Sequence, residues 1–335
     1  MNDVSITPRV SVVIPCYQAA WSIRRTLRSV MAQRFTPFEI ILVDDGSTDA
    51  LDAAIEPYAD RIRLVRQDNH GLAAARNRGI ALARADLVAP LDADDLWHPD
   101  YLADLVAALD GAPAAPFAFA GSFRIDEDDR LLPDLHLRRA PRHDFAGLVS
   151  LNSVGSGSAA VFRRAMLLAA GGYDPSLRDR AAQGAEDWKL LVHLAAIATP
   201  VPVSRKLVAY RLTRAGMSQA RPQRQLAAID AVIDDLARDF PAAPRRLFRD
   251  ARTMMTAWLL PAFLRNGMMG QALREAWRGY VLNPLWWRNP ELLLVHTARL
   301  RMALRARPEP LGLLSDWTDE DGSRPFGFLS PSGTG

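Results

Sequence analysis

Four short apolar runs, at residues 10–14, 38–43, 62–65 and 87–91, alternate with stretches whose apolar residues recur at helical spacing. Ile23, Leu27, Val30 and Met31 share a helical face after the first run. Leu51, Ala54, Ile55 and Tyr58 do so after the second, and a helix over about 72–84 is expected after the third. Strands that alternate with helices of this length predict a parallel sheet with right-handed crossovers.

Each run ends in chemically loaded residues. Pro15, Cys16 and Tyr17 close the first, Asp44 and Asp45 the second, and Asp92, Asp94 and Asp95 the fourth. In open α/β sheets, ligands bind in the crevice beyond the carboxyl ends of the strands, so these loops are expected to line one site. Three carboxylates within four residues repel unless a cation screens them, and hard oxygen ligands suit Mg2+ or Mn2+ bridging to substrate phosphates. The plainer reading is a solvated acidic turn capping a helix that starts near Pro99. Tyr17 can stack on a base, the second loop can accept hydrogen bonds from a base N–H or from ribose hydroxyls, and the third can hold the metal. Together they describe a nucleotide-diphosphate site. Arg76 follows the turn at Asn69, His70 and Gly71, and either reaches the same crevice or stands on the surface.

At 335 residues and 49% hydrophobic content, the chain can bury a core for one large or two modest domains. The single Cys16 excludes an internal disulfide, and no stretch of 18 or more strongly apolar residues is present. No signal peptide is recognised, so a cytoplasmic location is the default expectation. The net charge of +3 says little about partners, and no nucleic acid is expected among them. Its distribution says more: residues 221–307 hold 15 arginines against 7 acids, and five of the eight tryptophans lie beyond residue 220. A boundary near 220 is therefore expected, with an Arg- and Trp-rich helical region at 221–307 and a loosely held tail at 308–335.

Four motifs carry a family resemblance. Val12-Val-Ile-Pro-Cys-Tyr17, Val43-Asp-Asp-Gly-Ser-Thr-Asp49, Gly71-Leu-Ala-Ala-Ala-Arg-Asn-Arg-Gly79 and Leu91-Asp-Ala-Asp-Asp95 resemble, in order and spacing, the family 2 glycosyltransferases of GT-A fold. With the motifs further on, the resemblance covers about residues 8–220. It implies a Rossmann-like, mostly parallel sheet flanked by helices, and an inverting transferase using a nucleotide-diphosphate sugar, UDP-sugar foremost, with a divalent metal, Mn2+ or Mg2+. By the same resemblance Pro15, Tyr17 and Asp45 contact base and ribose with Asp44 behind them, and Arg76 helps hold the nucleotide. Asp92 faces ribose or sugar, and Asp94 leads metal binding with Asp95 beside it.

Residues 152–162 carry Gly155 and Gly157, which either let backbone approach a ligand or mark a bulged strand. Glu186 and Asp187 open an apolar helix, where acids are favoured by the helix dipole in any case. The resemblance assigns this pair the role of general base, a carboxylate that deprotonates the acceptor hydroxyl. Asp187 is the first choice, with Glu186 open because adjacent helical residues point about 100° apart. Trp188 offers an apolar face for a sugar ring or simply packs. The stretch Tyr210-Arg-Leu-Thr-Arg-Ala-Gly-Met-Ser218 resembles the family's closing loop, although Thr213 stands where relatives often carry His. Any extra metal or phosphate contact there falls to Arg211, Arg214 or Ser218, on a lid that orders over the diphosphate or, in the plainer reading, an interdomain linker.

Arginine and tryptophan on amphipathic helices suit either packing or the surface of an anionic membrane, and such contact would place the protein at the membrane's inner face beside a sugar or lipid-linked acceptor. Two rival functions are weaker. A sugar nucleotidyltransferase of related fold usually opens on a Gly-rich, Arg-containing loop, absent at residues 15–20, and a non-catalytic nucleotide-sugar-binding relative would have lost an acidic motif.

Overall fold

The computed structural model describes residues 7–133, 142–213, 221–281, 311–319, 324–326 and 329. Strand β1 (Val10–Cys16) is buried along its whole length between β2 (Phe38–Asp44) and β4 (Leu87–Pro90), parallel to both, and β3 (Arg63–Arg66) adds outside β2. This burial on both faces is why the runs are continuously apolar rather than alternating. Helices α1 (Ile23–Met31), α2 (Leu51–Ile55) and α3 (Leu72–Leu82) form the crossovers. Gly79 allows α3 to lie close on β1, because a Cβ there would stand 2.3 Å from Val13 Cγ1.

Beyond β4 the sheet is mixed, in the order β3-β2-β1-β4-β8-β6-β9-β5 with β7 hydrogen-bonded to β6. Strand β8 (Ala160–Arg163) runs antiparallel to both β4 and β6 (Phe117–Ile125), whereas β9 (Val201–Arg211) is parallel to β6 and antiparallel to β5 (Leu96–Trp97). The parallel arrangement read from the alternation thus holds for the first four strands. After β4, short runs near glycines carry no signal of direction. Strand β7 is Leu131–Leu132. Helix α4 (Tyr101–Asp110) covers this half of the sheet; α5 (Phe145–Ser150), α6 (Arg164–Ala169), α7 (Ser176–Asp179) and α8 (Glu186–Ile197) follow in order.

Among the described residues, three α-helices come after residue 220: α9 (Pro222–Asp239), α10 (Arg245–Arg265) and α11 (Met269–Ala276). One hydrophobic cluster runs from Val10 to Ala272, so the change near 220 is one of composition and charge within a shared core. Asp235 on α9 fixes the geometry from the polar side. It accepts hydrogen bonds from both terminal nitrogens of Arg180, at 2.9 and 2.6 Å, and from Lys189 Nζ at 2.7 Å. These contacts hold its carboxyl far below the usual range, the Arg180 hydrogen bonds contributing most.

Of the stretch expected as a tail, 308–335, residues 311–319, 324–326 and 329 are among the described ones. Leu314 and Phe326 are buried with Leu96, Ile125 and Ala209, and the Leu131 N–H donates to the Gly312 carbonyl at 2.8 Å. Isolated apolar residues in a polar stretch have no periodicity to reveal them. Among the described residues, no helix is long and apolar enough to cross a membrane.

Candidate active site

A cleft of about 990 Å³ opens over the carboxyl ends of β1, β2 and β4, a volume suited to a nucleotide-sized ligand. Tyr17 stands at its rim, 53% exposed, just past β1. The first two loops are stitched together, the Gln18 N–H donating to Ser47 Oγ at 3.1 Å and Gln18 Oε1 accepting from the Thr48 and Asp49 N–H groups. Pro15 and Asp45 line the cleft beside Tyr17. Asp45 is nonetheless occupied, accepting from Gln67 Nε2 and from the backbone N–H groups of His70 and Gly71 at 2.7 to 2.9 Å. Asp44 does not line the cleft. Its carboxylate takes the Ser47 N–H at 2.9 Å and lies 3.5 Å from Arg66, so it shapes the turn.

Arg76 lies at the floor and is buried, which resolves the choice between crevice and surface. Its guanidinium bridges two loops, donating to Asp92 Oδ1 at 2.5 Å and to Glu186 Oε1 at 3.1 Å, and lies over the Tyr173 ring at 4.9 Å. Among the described residues, the Arg76 Nε–H has no hydrogen-bond partner. Gly157 makes this approach possible, since a Cβ there would meet Arg76 Nη2 at 2.7 Å. Gly157→Ala is therefore expected to destabilise the fold by about 1–3 kcal/mol, because the guanidinium is wedged between two carboxylates and cannot yield. A thermal midpoint equal to the wild type's would contradict this. Gly155 lines the cleft with open space about its Cα.

The third loop divides its carboxylates. Asp95, expected as a metal ligand, is fully buried and does not line the cleft. Its Oδ2 accepts from Ser158 Oγ at 2.6 Å and its Oδ1 from the Arg211 N–H at 2.8 Å, making it an internal anchor. Burial, then the charges of Asp94 and Asp92, push its carboxyl well above the usual range. Ser158 Oγ also accepts the Asp92 N–H at 3.0 Å, so one hydroxyl ties both ends of the loop. Arg211, expected on a mobile lid, is likewise fixed. It donates to the carbonyls of Asp94 and Asp126 at 2.7 and 2.6 Å and pairs with Asp129. Asp92 and Asp94 both line the cleft; Arg76 holds Asp92 Oδ1, and the Asp94 pKa is raised to about 6 by desolvation first and by Asp92 second. Among the described residues, no three His, Cys, Asp or Glu side chains could hold a metal by themselves. The donor set fits a cation that takes one or two carboxylates and completes its shell with phosphate and water.

Glu186 and Asp187 both line the cleft at the start of α8 but differ in freedom. Glu186 is buried, with one oxygen on Arg76 and the other accepting the Gly184 N–H at 2.8 Å. Among the described residues, Asp187 accepts only the neighbouring Trp188 N–H, at 2.7 Å. Desolvation and the adjacent Glu186 charge raise its pKa to about 7, against the pull of Arg76. Trp188 packs: it is 1% exposed and its indole N–H donates to the Leu148 carbonyl at 2.8 Å. Ser218 and Arg214 lie outside the described residues. Sequence reasoning missed Ser158, and it missed that α9 and α10 wall the cleft through Arg221, Arg224, Gln225 and Trp258. No motif marks those positions.

A mixed sheet of this order, with a carboxylate-bearing cleft over its carboxyl edge, defines a GT-A-type α/β protein. Residues 11–169 match the family model described as "Glycosyl transferase family 2". The amylovoran biosynthesis glycosyltransferase AmsB of Erwinia amylovora is 37% identical over 153 residues, 43% of this chain and 50% of that one. The first curated relatives are thus matched over half their length or less. Among solved structures, the mannosyltransferase PcManGT from Pyrobaculum calidifontis, in complex with GDP-Man and Mn2+, superposes with a TM-score of 0.59 at 20% identity, covering 90% of this chain and 88% of that one. S. aureus TarS 1-349 with UDP-GlcNAc gives 0.55 at 17% identity, covering 89% and 82%. At these identities the likeness establishes the fold.

Proposed function

We propose that the protein is an inverting glycosyltransferase that moves a sugar from a nucleotide-diphosphate donor to a hydroxyl of a glycan or lipid-linked acceptor in polysaccharide biosynthesis. The observation that carries the reading is Asp187, a cleft carboxylate with no ion-pair partner among the described residues and with its pKa raised by burial to about 7, beside the Arg76 bridge that joins Asp92 to Glu186. Tyr17 stacks on the base and Asp45 orders the loop beneath it. Asp94, with the free oxygen of Asp92, would hold a divalent cation, which offsets charge on the diphosphate when bound. Asp187 takes the proton of the acceptor hydroxyl as that oxygen bonds to the sugar's anomeric carbon. The bond from that carbon to the diphosphate breaks, and the nucleoside diphosphate departs with the electron pair. Glu186, locked on Arg76, sets the charge beside the base. UDP-, GDP- and dTDP-sugars are to be screened with Mn2+ by thermal shift; at least one should raise the midpoint, and a flat panel would sink the proposal.

Membrane contact is a second part of the proposal. Met269, Leu273 and Trp277 are 52, 63 and 62% exposed at four-residue spacing, and Arg245, Arg246 and Arg249 are exposed at the start of α10. Such a surface suits peripheral binding to the inner face of an anionic membrane. The full chain is expected to co-sediment with anionic liposomes at low salt and to be released as salt rises, each arginine near the surface contributing on the order of 1 kcal/mol. Reversing all three arginines to Glu should weaken binding at least about tenfold. Indifference of the intact protein to anionic vesicles would assign these helices to packing alone.

A further inference from the structure

Part of the wall of the cleft that holds Asp187 comes from the helices after residue 220, and the proposed chemistry leaves its side chains without a task. Arg221 flanks α9 and Arg224 lies in its first turn; both line the cleft and both are exposed. Among the described residues, neither guanidinium has a hydrogen-bond or ion-pair partner. This sets them apart from Arg76 and Arg211, which are bound to carboxylates and carbonyls, and from Arg178, which donates to the Asn69 carbonyl at 2.8 Å. Next to Arg224 in the chain, Gln225 Nε2 donates to the Gly184 carbonyl at 2.5 Å. That bond ties the start of α9 to the segment immediately before Glu186 and Asp187, and the Asp235 contacts hold the rest of the helix. Beside the arginines, Met254, Met255 and Trp258 of α10 give the same wall an apolar part.

Two guanidiniums with open hydrogen-bonding capacity make a site for a planar or tetrahedral oxyanion, and Arg is well shaped for phosphate. Apolar side chains next to them exclude a ligand that is anionic throughout. We propose that Arg221 and Arg224 bind a phosphate carried by the acceptor, and that Met254, Met255 and Trp258 take the apolar chain attached to it. The acceptor is then a phosphate-bearing amphiphile whose sugar hydroxyl is presented to Asp187. This rests on the glycosyltransferase reading and specifies its acceptor class.

The test uses the full chain and three probes: dodecyl phosphate, inorganic phosphate, and dodecyl maltoside below its micellar concentration. Quenching of tryptophan fluorescence reports binding, and UDP and GDP affinities with Mn2+ are measured on the same samples. Dodecyl phosphate should bind at least about tenfold more tightly than either other probe. The double variant Arg221→Gln, Arg224→Gln should lose about tenfold for dodecyl phosphate, keep dodecyl maltoside affinity, and hold nucleotide affinity within about twofold. Trp258→Leu should weaken dodecyl phosphate but not inorganic phosphate. Equal binding of inorganic and dodecyl phosphate would show a free-anion site and overturn the proposal. So would an unaffected double variant, or a parallel loss of UDP or GDP affinity, which would assign the arginines to the donor. Failure of the wild type to bind any nucleotide would instead strike the glycosyltransferase reading itself.

Discussion

Replacing Asp187 with Asn is expected to lower turnover by about 10² or more while donor affinity stays within a few fold, the scale on which a general base contributes. Asn keeps the shape of the side chain and can still accept the Trp188 N–H, so the start of α8 should be undisturbed. What it cannot do is take a proton. Because burial and Glu186 hold the Asp187 carboxyl up near 7, the base is protonated and inactive below that pH. Activity of the wild type should therefore rise as pH passes through about 7. In Glu186→Gln the neighbouring negative charge is gone and ionisation of Asp187 is easier, so the rising limb should move to lower pH. If Glu186→Gln abolishes turnover while Asp187→Asn spares it, the assignment within the pair is reversed.

Asp94→Ala is expected to abolish metal-dependent binding of a nucleoside diphosphate and to leave the fold intact. A cation on a diphosphate typically takes only one or two protein carboxylates, so removing the cleft-lining one that Arg76 does not hold leaves too little to hold it. The loop itself should persist, because Arg211 grips the Asp94 carbonyl rather than its side chain. Because a ligand must be ionised to bind, and the carboxyl of Asp94 without a metal is raised to about 6, metal affinity should weaken progressively as pH falls below that value. Asp95→Ala should behave in the opposite manner. It strips the buried Ser158 hydroxyl and Arg211 N–H of their acceptor, and it should show as a loss of about 1–3 kcal/mol in stability. Unchanged calorimetric affinity in Asp94→Ala would remove that residue from the site.

The contrast between Asp94 and Asp95 marks where sequence reasoning ends. Strands β1, β2 and β4 were legible because their burial writes a nearly unbroken apolar run, whereas the edge strand β3 is only half-buried at Leu64 and Val65; the acids were legible because they sit at strand ends. Which acid meets solvent was not. The partners that claim Asp95 lie 63 and 116 positions away, at Ser158 and Arg211, and such separations leave no local pattern. Trp188 and Arg211 have residue types that suit a ligand contact, yet tertiary hydrogen bonds engage both. Glu186 and Asp187 could not be told apart by helical position; Arg76, 110 positions from Glu186, separates them. The wall built by α9 and α10 was hidden for another reason. Its apolar stripe speaks for packing, while Arg221 and Arg224 look like any arginine in a basic helix.

The most direct measurement is the release of nucleoside diphosphate from a nucleotide sugar, with water as the acceptor, by the full chain in Mn2+. The account predicts slow cleavage of at least one donor, lost when the metal is chelated and reduced by about 10² or more in Asp187→Asn. Cleavage of no donor, or cleavage that persists unchanged in Asp187→Asn, would contradict it.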